Sequence, residues 1–261
     1  MNIIETQNLT KSYGGFTAVS GINLHIPKGT VYGFLGPNGA GKSTTMKMFL
    51  GLTKPTSGSF VIDGRTYPEN RVDILKEVGS FIEAPAFYGN LTGEENLEIV
   101  RRILGLPKSS VSEALELVEL TQYKKRLAKK YSLGMKQRLG LASALVGKPP
   151  ILILDEPTNG LDPVGIHEIR TLIRSLPQQF ACTVFVSSHL LSEIELMADN
   201  IGILNHGRLL FEGTLDALKS NVASQGYLTD NKESNFSEAG SLEDTFLALI
   251  DADNRQRGGV R

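Results

Sequence analysis

The segment Gly36-Pro37-Asn38-Gly39-Ala40-Gly41-Lys42-Ser43 constrains the fold more than any other part of the chain. It stands between the apolar run Thr30-Val31-Tyr32-Gly33-Phe34-Leu35 and a helix-like stretch from Thr44 to Leu50. Glycines let successive backbone N–H groups curl inward around an anion, and a helix that starts at the loop adds positive potential. The spacing brings Lys42 within reach of terminal phosphates and leaves the Ser43 hydroxyl able to ligate Mg²⁺. Strand, loop and helix fall in the order that a polyphosphate site requires, which weighs against a plain glycine-rich turn.

Bulk properties set the outer limits. With 261 residues, 41% of them apolar, and a formal charge of -1, the chain can bury a large core in one or two domains. Near-neutral charge gives no electrostatic reason to expect nucleic acid as a partner. The start Met1-Asn2-Ile3-Ile4-Glu5 lacks a basic segment followed by an apolar one, and no apolar run approaches the roughly twenty residues needed to cross a bilayer. The expectation is a chain that neither enters a secretory route nor spans a membrane by itself. The single cysteine, Cys182, lies in the apolar run Cys182-Thr183-Val184-Phe185-Val186, which excludes an internal disulfide and reads as a small buried strand residue.

Short alternating segments open the chain at Ile3 to Thr10, Ala18 to Ile26 and Ser59 to Ile62, separated by turn signals, and predict a small antiparallel sheet beside the phosphate-binding core. From Glu94 to Gly147 the spacing becomes helical, with helices predicted over Glu94 to Leu104, over Ser110 to Leu120 and from Lys136. Strands return at Ile151 to Leu154, Thr183 to Val186 and Asn200 to Leu204, alternating with helix patterns at Pro163 to Leu176 and Leu190 to Met197. Uniformly apolar strands between helices indicate a mostly parallel α/β sheet covered on both faces. The predicted organisation is a body over residues 1–218 with a helical insertion at about 84–147, then a linker and a short helix over 219–261 in which Leu242, Phe246 and Leu249 share one face.

In an open parallel sheet, ligands sit outside the carboxyl ends of the strands, where the phosphate loop, Asp155-Glu156 and Ser187-Ser188-His189 all fall. Side chains alternate along a strand, so Asp155 and Glu156 point differently. One can hold Mg²⁺ through its water shell while the other approaches an attacking water. His189 at a strand end suits a sensor of the terminal phosphate, although a lone histidine is often structural.

Tyr131-Ser132-Leu133-Gly134-Met135-Lys136-Gln137-Arg138, followed by Asp155-Glu156-Pro157-Thr158-Asn159-Gly160-Leu161-Asp162 and preceded by the phosphate loop, resembles the signature region of ABC transporter ATPases. The resemblance runs from Ile3 to about Gly213. It implies a P-loop core that binds ATP and Mg²⁺, with Tyr13 stacking on adenine and Gly36, Asn38, Gly39, Ala40, Gly41, Lys42, Ser43 and Thr44 holding phosphates. Ser43 and Asp155 serve the metal in that pattern, Glu156 is the general base, and His189 is the switch histidine. Ser132, Gly134 and Asp162 then meet nucleotide held by a second copy, so hydrolysis requires a head-to-tail homodimer. Independently of the resemblance, Ser132 reads as an N-cap of the following helix, and Gly134 permits close backbone approach.

Two departures carry information. The family's usual Ser-Gly-Gly-Gln is here Ser132-Leu133-Gly134-Met135, similar to the bacitracin-type branch. The family's glutamine after the strand Val78-Gly79-Ser80-Phe81-Ile82 is here Glu83, similar to lantibiotic-immunity transporters. A carboxylate there accepts from metal-bound water but donates nothing. The resemblance therefore implies an ATPase on the cytoplasmic face of the membrane that works with two separate permease subunits and exports an antimicrobial peptide, a lantibiotic first and bacitracin or another drug as the alternative. Residues Ala84 to Asn90, with Pro85, Phe87 and Tyr88, form a candidate docking surface for the permease, with a core role for Phe87 equally open. The run Lys124-Lys125-Arg126 with Lys129-Lys130 reads as a solvated face or as a contact for anionic lipid.

Overall fold

Period-two alternation of large apolar side chains on the central strands decides how the layers stack. A computed structural model describes residues 1–83, 87–218, 220 and 242–258. Strand β1 (Asn2–Tyr13) pairs antiparallel with β2 (Phe16–Ile22), β3 (His25–Pro27) and, further along the chain, β5 (Ser57–Ile62), which in turn pairs with β6 (Arg65–Thr66). Between them run β4 (Val31–Leu35) and α1 (Lys42–Phe49), joined by the glycine loop.

The second sheet is mostly parallel. It contains β7 (Val78–Phe81), reached through α2 (Arg71–Lys76), together with β8 (Ile151–Asp155), β9 (Thr183–Ser188), β10 (Asn200–Asn205) and β11 (Arg208–Gly213). Its order is β11-β10-β4-β9-β8-β7, with only the β10–β11 pair antiparallel. The helices α3 (Gly93–Ile103), α4 (Ser109–Leu117) and α5 (Leu133–Leu145) are inserted between β7 and β8, α6 (Pro163–Phe180) joins β8 to β9, and α7 (Leu191–Glu195) joins β9 to β10.

Tyr32, Phe34, Ile151, Ile153 and Phe185 point to one face of this sheet and share a core with Phe49 and Phe60, between the two sheets. Their alternating neighbours Val31, Leu35, Leu152, Leu154, Val184 and Val186 point to the other face and pack with Leu97, Leu115, Leu139 and Ile173 of the helices. Strands buried on both faces carry apolar residues at every position, which is why these runs are continuous in the sequence. Cys182 sits in this core, and burial pushes its thiol up to about 12, so it is a packing residue rather than a nucleophile.

Glu212 on the edge strand β11 stitches the sheets together. Its carboxylate accepts from the His25 backbone N–H at 2.7 Å and from the Tyr32 hydroxyl at 2.8 Å, and it lies 2.9 Å from His25 Nδ1. Burial first, and then this carboxylate, pushes the Tyr32 phenol well above its ordinary value.

Several boundaries differ from those expected. Helix α5 starts at Leu133 rather than near Lys136, because the Ser132 hydroxyl caps it three residues earlier, accepting from the Met135 N–H at 3.3 Å. The basic run lies in the connection between α4 and α5, with short 3₁₀ turns at Thr121–Tyr123 and Ala128–Lys130, and Lys124 pairs with Glu94 at 3.3 Å. The C-terminal helix α8 (Leu242–Gly258) is longer than the three apolar positions suggested. Leu242 enters the core, Phe246 and Leu249 pack against it, and Asn205 Nδ2 donates to Asp253 at 2.9 Å. Of the surface candidate at Ala84 to Asn90, Pro85 lies outside the described residues, Phe87 packs on the core and Tyr88 is exposed. The linker over 221–241 also lies outside the described residues.

Candidate nucleotide site

The parallel strands end on one side of the sheet, and β4, β8 and β9 each lead into groups that line a cleft there. After β4 the loop turns inward and α1 begins with Gly41 as its N-cap, at φ 108°. A Cβ on Gly41 would lie 2.4 Å from the Ala18 carbonyl oxygen, so only glycine keeps this path. Lys42 is buried, and its ammonium donates to the Gly36 carbonyl at 2.6 Å and approaches Glu156 Oε1 at 3.4 Å. The loop is braced from behind by the β10–β11 turn, where the Gly207 N–H donates to the Ala40 carbonyl at 2.8 Å.

At the end of β8, Asp155 is buried and accepts from the Ser187 hydroxyl at 2.6 Å, while the Glu156 N–H donates to that hydroxyl oxygen at 3.0 Å. Glu156 adopts φ 51°, a left-handed backbone that costs a non-glycine residue about 1–3 kcal/mol and recurs where a side chain must be aimed. The carboxylate faces His189 Nδ1 at 2.5 Å. Lys42, Glu156 and His189 line a cleft of about 480 Å³ with Asn38, Gly39, Ala40, Gly41, Ser43 and Thr44, and Asp155 lies outside that lining. An acid, an ammonium, an imidazole and a nest of N–H groups face one volume, which fits a magnesium–nucleotide polyphosphate. Ser43 would hold Mg²⁺ directly, and Asp155 through water.

Ser132, Gly134 and Asp162 lie elsewhere. They line a second cleft of about 410 Å³ where the N-termini of α5 and α6 converge, and Asp162 caps α6 by accepting from the Gly165 N–H at 2.9 Å. Leu133 and Val164 stand exposed on this cleft. It shares no lining residue with the first, although Asn159 lines one and Gly160 the other.

Two expected residues are placed differently. Glu83 does not line the nucleotide cleft; it sits at φ 61° and pairs with Lys47 on α1, a cation near enough to hold it there. The aromatic side chain in the cleft wall is Phe16, whereas its strand partner Tyr13 lies outside that lining, beneath the Lys11 ammonium and 3.4 Å from the Thr53 hydroxyl. Phe16 was missed in the sequence, and its signal was an exposed aromatic across the hairpin from Tyr13.

A doubly covered, mostly parallel sheet with a glycine nest between β4 and a helix, and acids at the end of β8 two strands away, defines a P-loop nucleoside triphosphatase. The ABC transporter family profile matches residues 19–159, and the chain belongs to that family, as an ATP-binding cassette of an ABC transporter. It is 52% identical over 83% of its length, and 71% of the relative's, to the bacitracin transport ATP-binding protein BcrA of Bacillus licheniformis. It is 47% identical to the lantibiotic transport ATP-binding protein SrtF of Streptococcus pyogenes, over 82% of this chain and 92% of that one. Among solved structures, a dimeric post-hydrolysis state of an ATP-binding cassette bound to ADP and Pi matches with a TM-score of 0.74 and 27% identity, over 81% of this chain and 98% of that one. Cassettes of this family dimerise, hydrolyse ATP and work with transmembrane components. Among the described residues, no helix is long and apolar enough to cross a membrane.

Proposed function

We propose that this cassette drives export of an antimicrobial peptide, a lantibiotic first, through two separate permease subunits at the cytoplasmic face of the membrane. The observation that carries the reading is the approximately even resemblance to a bacitracin transport cassette and to a lantibiotic transport cassette, at 52% and 47% identity. The acid at Glu83, where the family has glutamine, tilts it towards the lantibiotic. Bacitracin is the second reading, supported by the slightly higher identity and by the Leu133 and Met135 substitutions in the signature.

In this reading two copies close head to tail. Bound Mg²⁺·ATP supplies the transferable phosphoryl group and neutralises its charge. Lys42 moves from the loop carbonyl to the terminal phosphates, with loop N–H groups from Asn38 to Thr44 holding the rest. Glu156 orients the attacking water and takes its proton, and His189 fixes the Glu156 carboxylate while reaching the γ-phosphate. Ser132 and Gly134 of the partner copy complete the cage, with Asp162 shaping the loop between sites. Adenine rests against the aromatic pair formed by Tyr13 and Phe16. Splitting the stabilising groups between copies makes closure the switch for hydrolysis.

The test uses cells that express the cassette with its permease. A Glu156→Gln strain should lose resistance to lanthionine-containing peptides while keeping its tolerance of bacitracin. Loss of bacitracin tolerance alone would select the second reading. Loss of neither would end both. Glu83→Gln should lower lanthionine resistance, and an unchanged phenotype would remove Glu83 from the specificity reading.

A further inference from the structure

Residues 157–162 run from one cleft to the other, so whatever holds this segment decides how the two clefts feel each other. Among the described residues, the hydrogen bond from α5 is neutral, from Gln137 Nε2 to the Asn159 carbonyl at 3.2 Å. On the side of α7 the hold is a buried acid. Thr158, only 4% exposed, donates its hydroxyl to Glu193 Oε2 at 2.6 Å, and the same oxygen accepts from the Ser188 hydroxyl at 3.1 Å. Ser188 directly precedes His189, so one carboxylate oxygen joins the strand end that carries the histidine to the loop that leaves Glu156.

Burying a carboxylate is costly unless donors satisfy it, and here the donors are two hydroxyls on different segments. Glu193 is 7% exposed, although α7 has an exposed side where an acid would be cheap. Hydrogen bonds to a charged acceptor are roughly twice as strong as neutral ones, so the loop is held to α7 and the His189 strand end more firmly than to α5.

We propose that Glu193 is a positioning residue that ties the His189 end of one nucleotide site to the loop entering the other, so that each site of the closed pair senses its neighbour. The proposal rests on the reading that two copies close around nucleotide. A displacement of His189 by the phosphate it contacts would reach Thr158 through Ser188 and the Glu193 carboxylate, and from there the segment Gly160 to Asp162 in the second cleft.

The full-length protein is assayed as wild type, Glu193→Ala, Glu193→Gln, Thr158→Val and the Thr158→Val/Glu193→Ala double variant. ATP hydrolysis is followed over a range of ATP concentrations, and affinity is measured separately with a fluorescent ATP analogue. Glu193→Ala should lower kcat about tenfold and bring the Hill coefficient near one, with the analogue's Kd changed by less than about twofold. Glu193→Gln can offer its amide oxygen to both hydroxyls and should recover kcat to within about threefold of wild type. The double variant should be no worse than Glu193→Ala, because both changes break one link.

Multiplying effects in the double variant, a glutamine as poor as alanine, or affinity lost in step with kcat would each overturn the proposal. Thr158→Val removes one donor only and carries the same expectation should Glu193→Ala fail to fold. Glu156→Gln separates the two layers of inference by size-exclusion chromatography. If it does not pair in ATP, the two-copy reading falls and takes the proposal with it. If it pairs and Glu193→Ala keeps the wild-type Hill coefficient, only the Glu193 link falls.

Discussion

The two clefts are built from similar parts to opposite effect. At the phosphate loop, the chain answers its own polar groups: Lys42 sits on the Gly36 carbonyl, Glu156 on His189 and Asp155 on Ser187. At the signature, two helix N-termini converge, but their caps satisfy only the helices, and Leu133 and Val164 remain exposed at 53% and 64%. In the first cleft these polar groups find partners within a single chain. The second keeps an apolar rim of the kind that a second surface covers.

That contrast can be broken by experiment. The largest effect belongs to Lys42→Ala, which should reduce hydrolysis about 10²–10³-fold or more and abolish binding of a fluorescent ATP analogue to the isolated chain. Glu156→Gln should cost hydrolysis about 10²-fold or more while leaving that binding intact, since it removes the base and not the cradle. Ser132→Ala should lower kcat about tenfold without changing analogue binding to the single chain, and should also cost about 1 kcal/mol of stability in urea titration through the lost cap. If Ser132→Ala weakens binding as severely as Lys42→Ala, the division of roles between the two clefts is wrong. Replacing both Tyr13 and Phe16 by alanine should raise the analogue's Kd about tenfold, the loss of one stacking platform.

The smallest effect lies far from both clefts and serves as their control. Hydrogen bonds from Arg101 and then Arg102 hold the Glu98 carboxyl at about 2, against an ordinary value of 4.5. A carboxylate with a depressed value stabilises the fold fully above 4.5 and loses that contribution as pH falls towards 2. Glu98→Gln should therefore lower Tm slightly at neutral pH and match wild type at the acid end, with no change in hydrolysis at either cleft. Its side chain is only partly buried and solvent screens the pair, so the difference should be small.

Local chemistry explains what was legible in advance. The phosphate loop, Asp155, Glu156 and His189 follow runs of β-branched and aromatic residues whose strand character is plain, and a parallel sheet forces their ends together. The layered fold was readable for the same reason. Glu83 was not, because its partner Lys47 lies on another element, 36 residues earlier, and no pattern within either segment announces the pair. Ser132 was legible as the cap of α5, but Gly134 lowers helix propensity and moved the expected start to Lys136, whereas the helix begins directly after the cap at Leu133. Glu193 carries no signal within its own short helix. Only the approach of Thr158 and Ser188 from elsewhere in the chain buries it.

Glu212 bears on motion. Because one carboxylate grips both β3 and β4, the antiparallel layer cannot slide over the strand that leads into the glycine loop without giving up three contacts at once. The floor beneath the nucleotide is in that sense a single plate. A displacement passed across the sheet from β4 on that side goes first to β9 and then to β8, the strands that carry His189 and Glu156 at their ends.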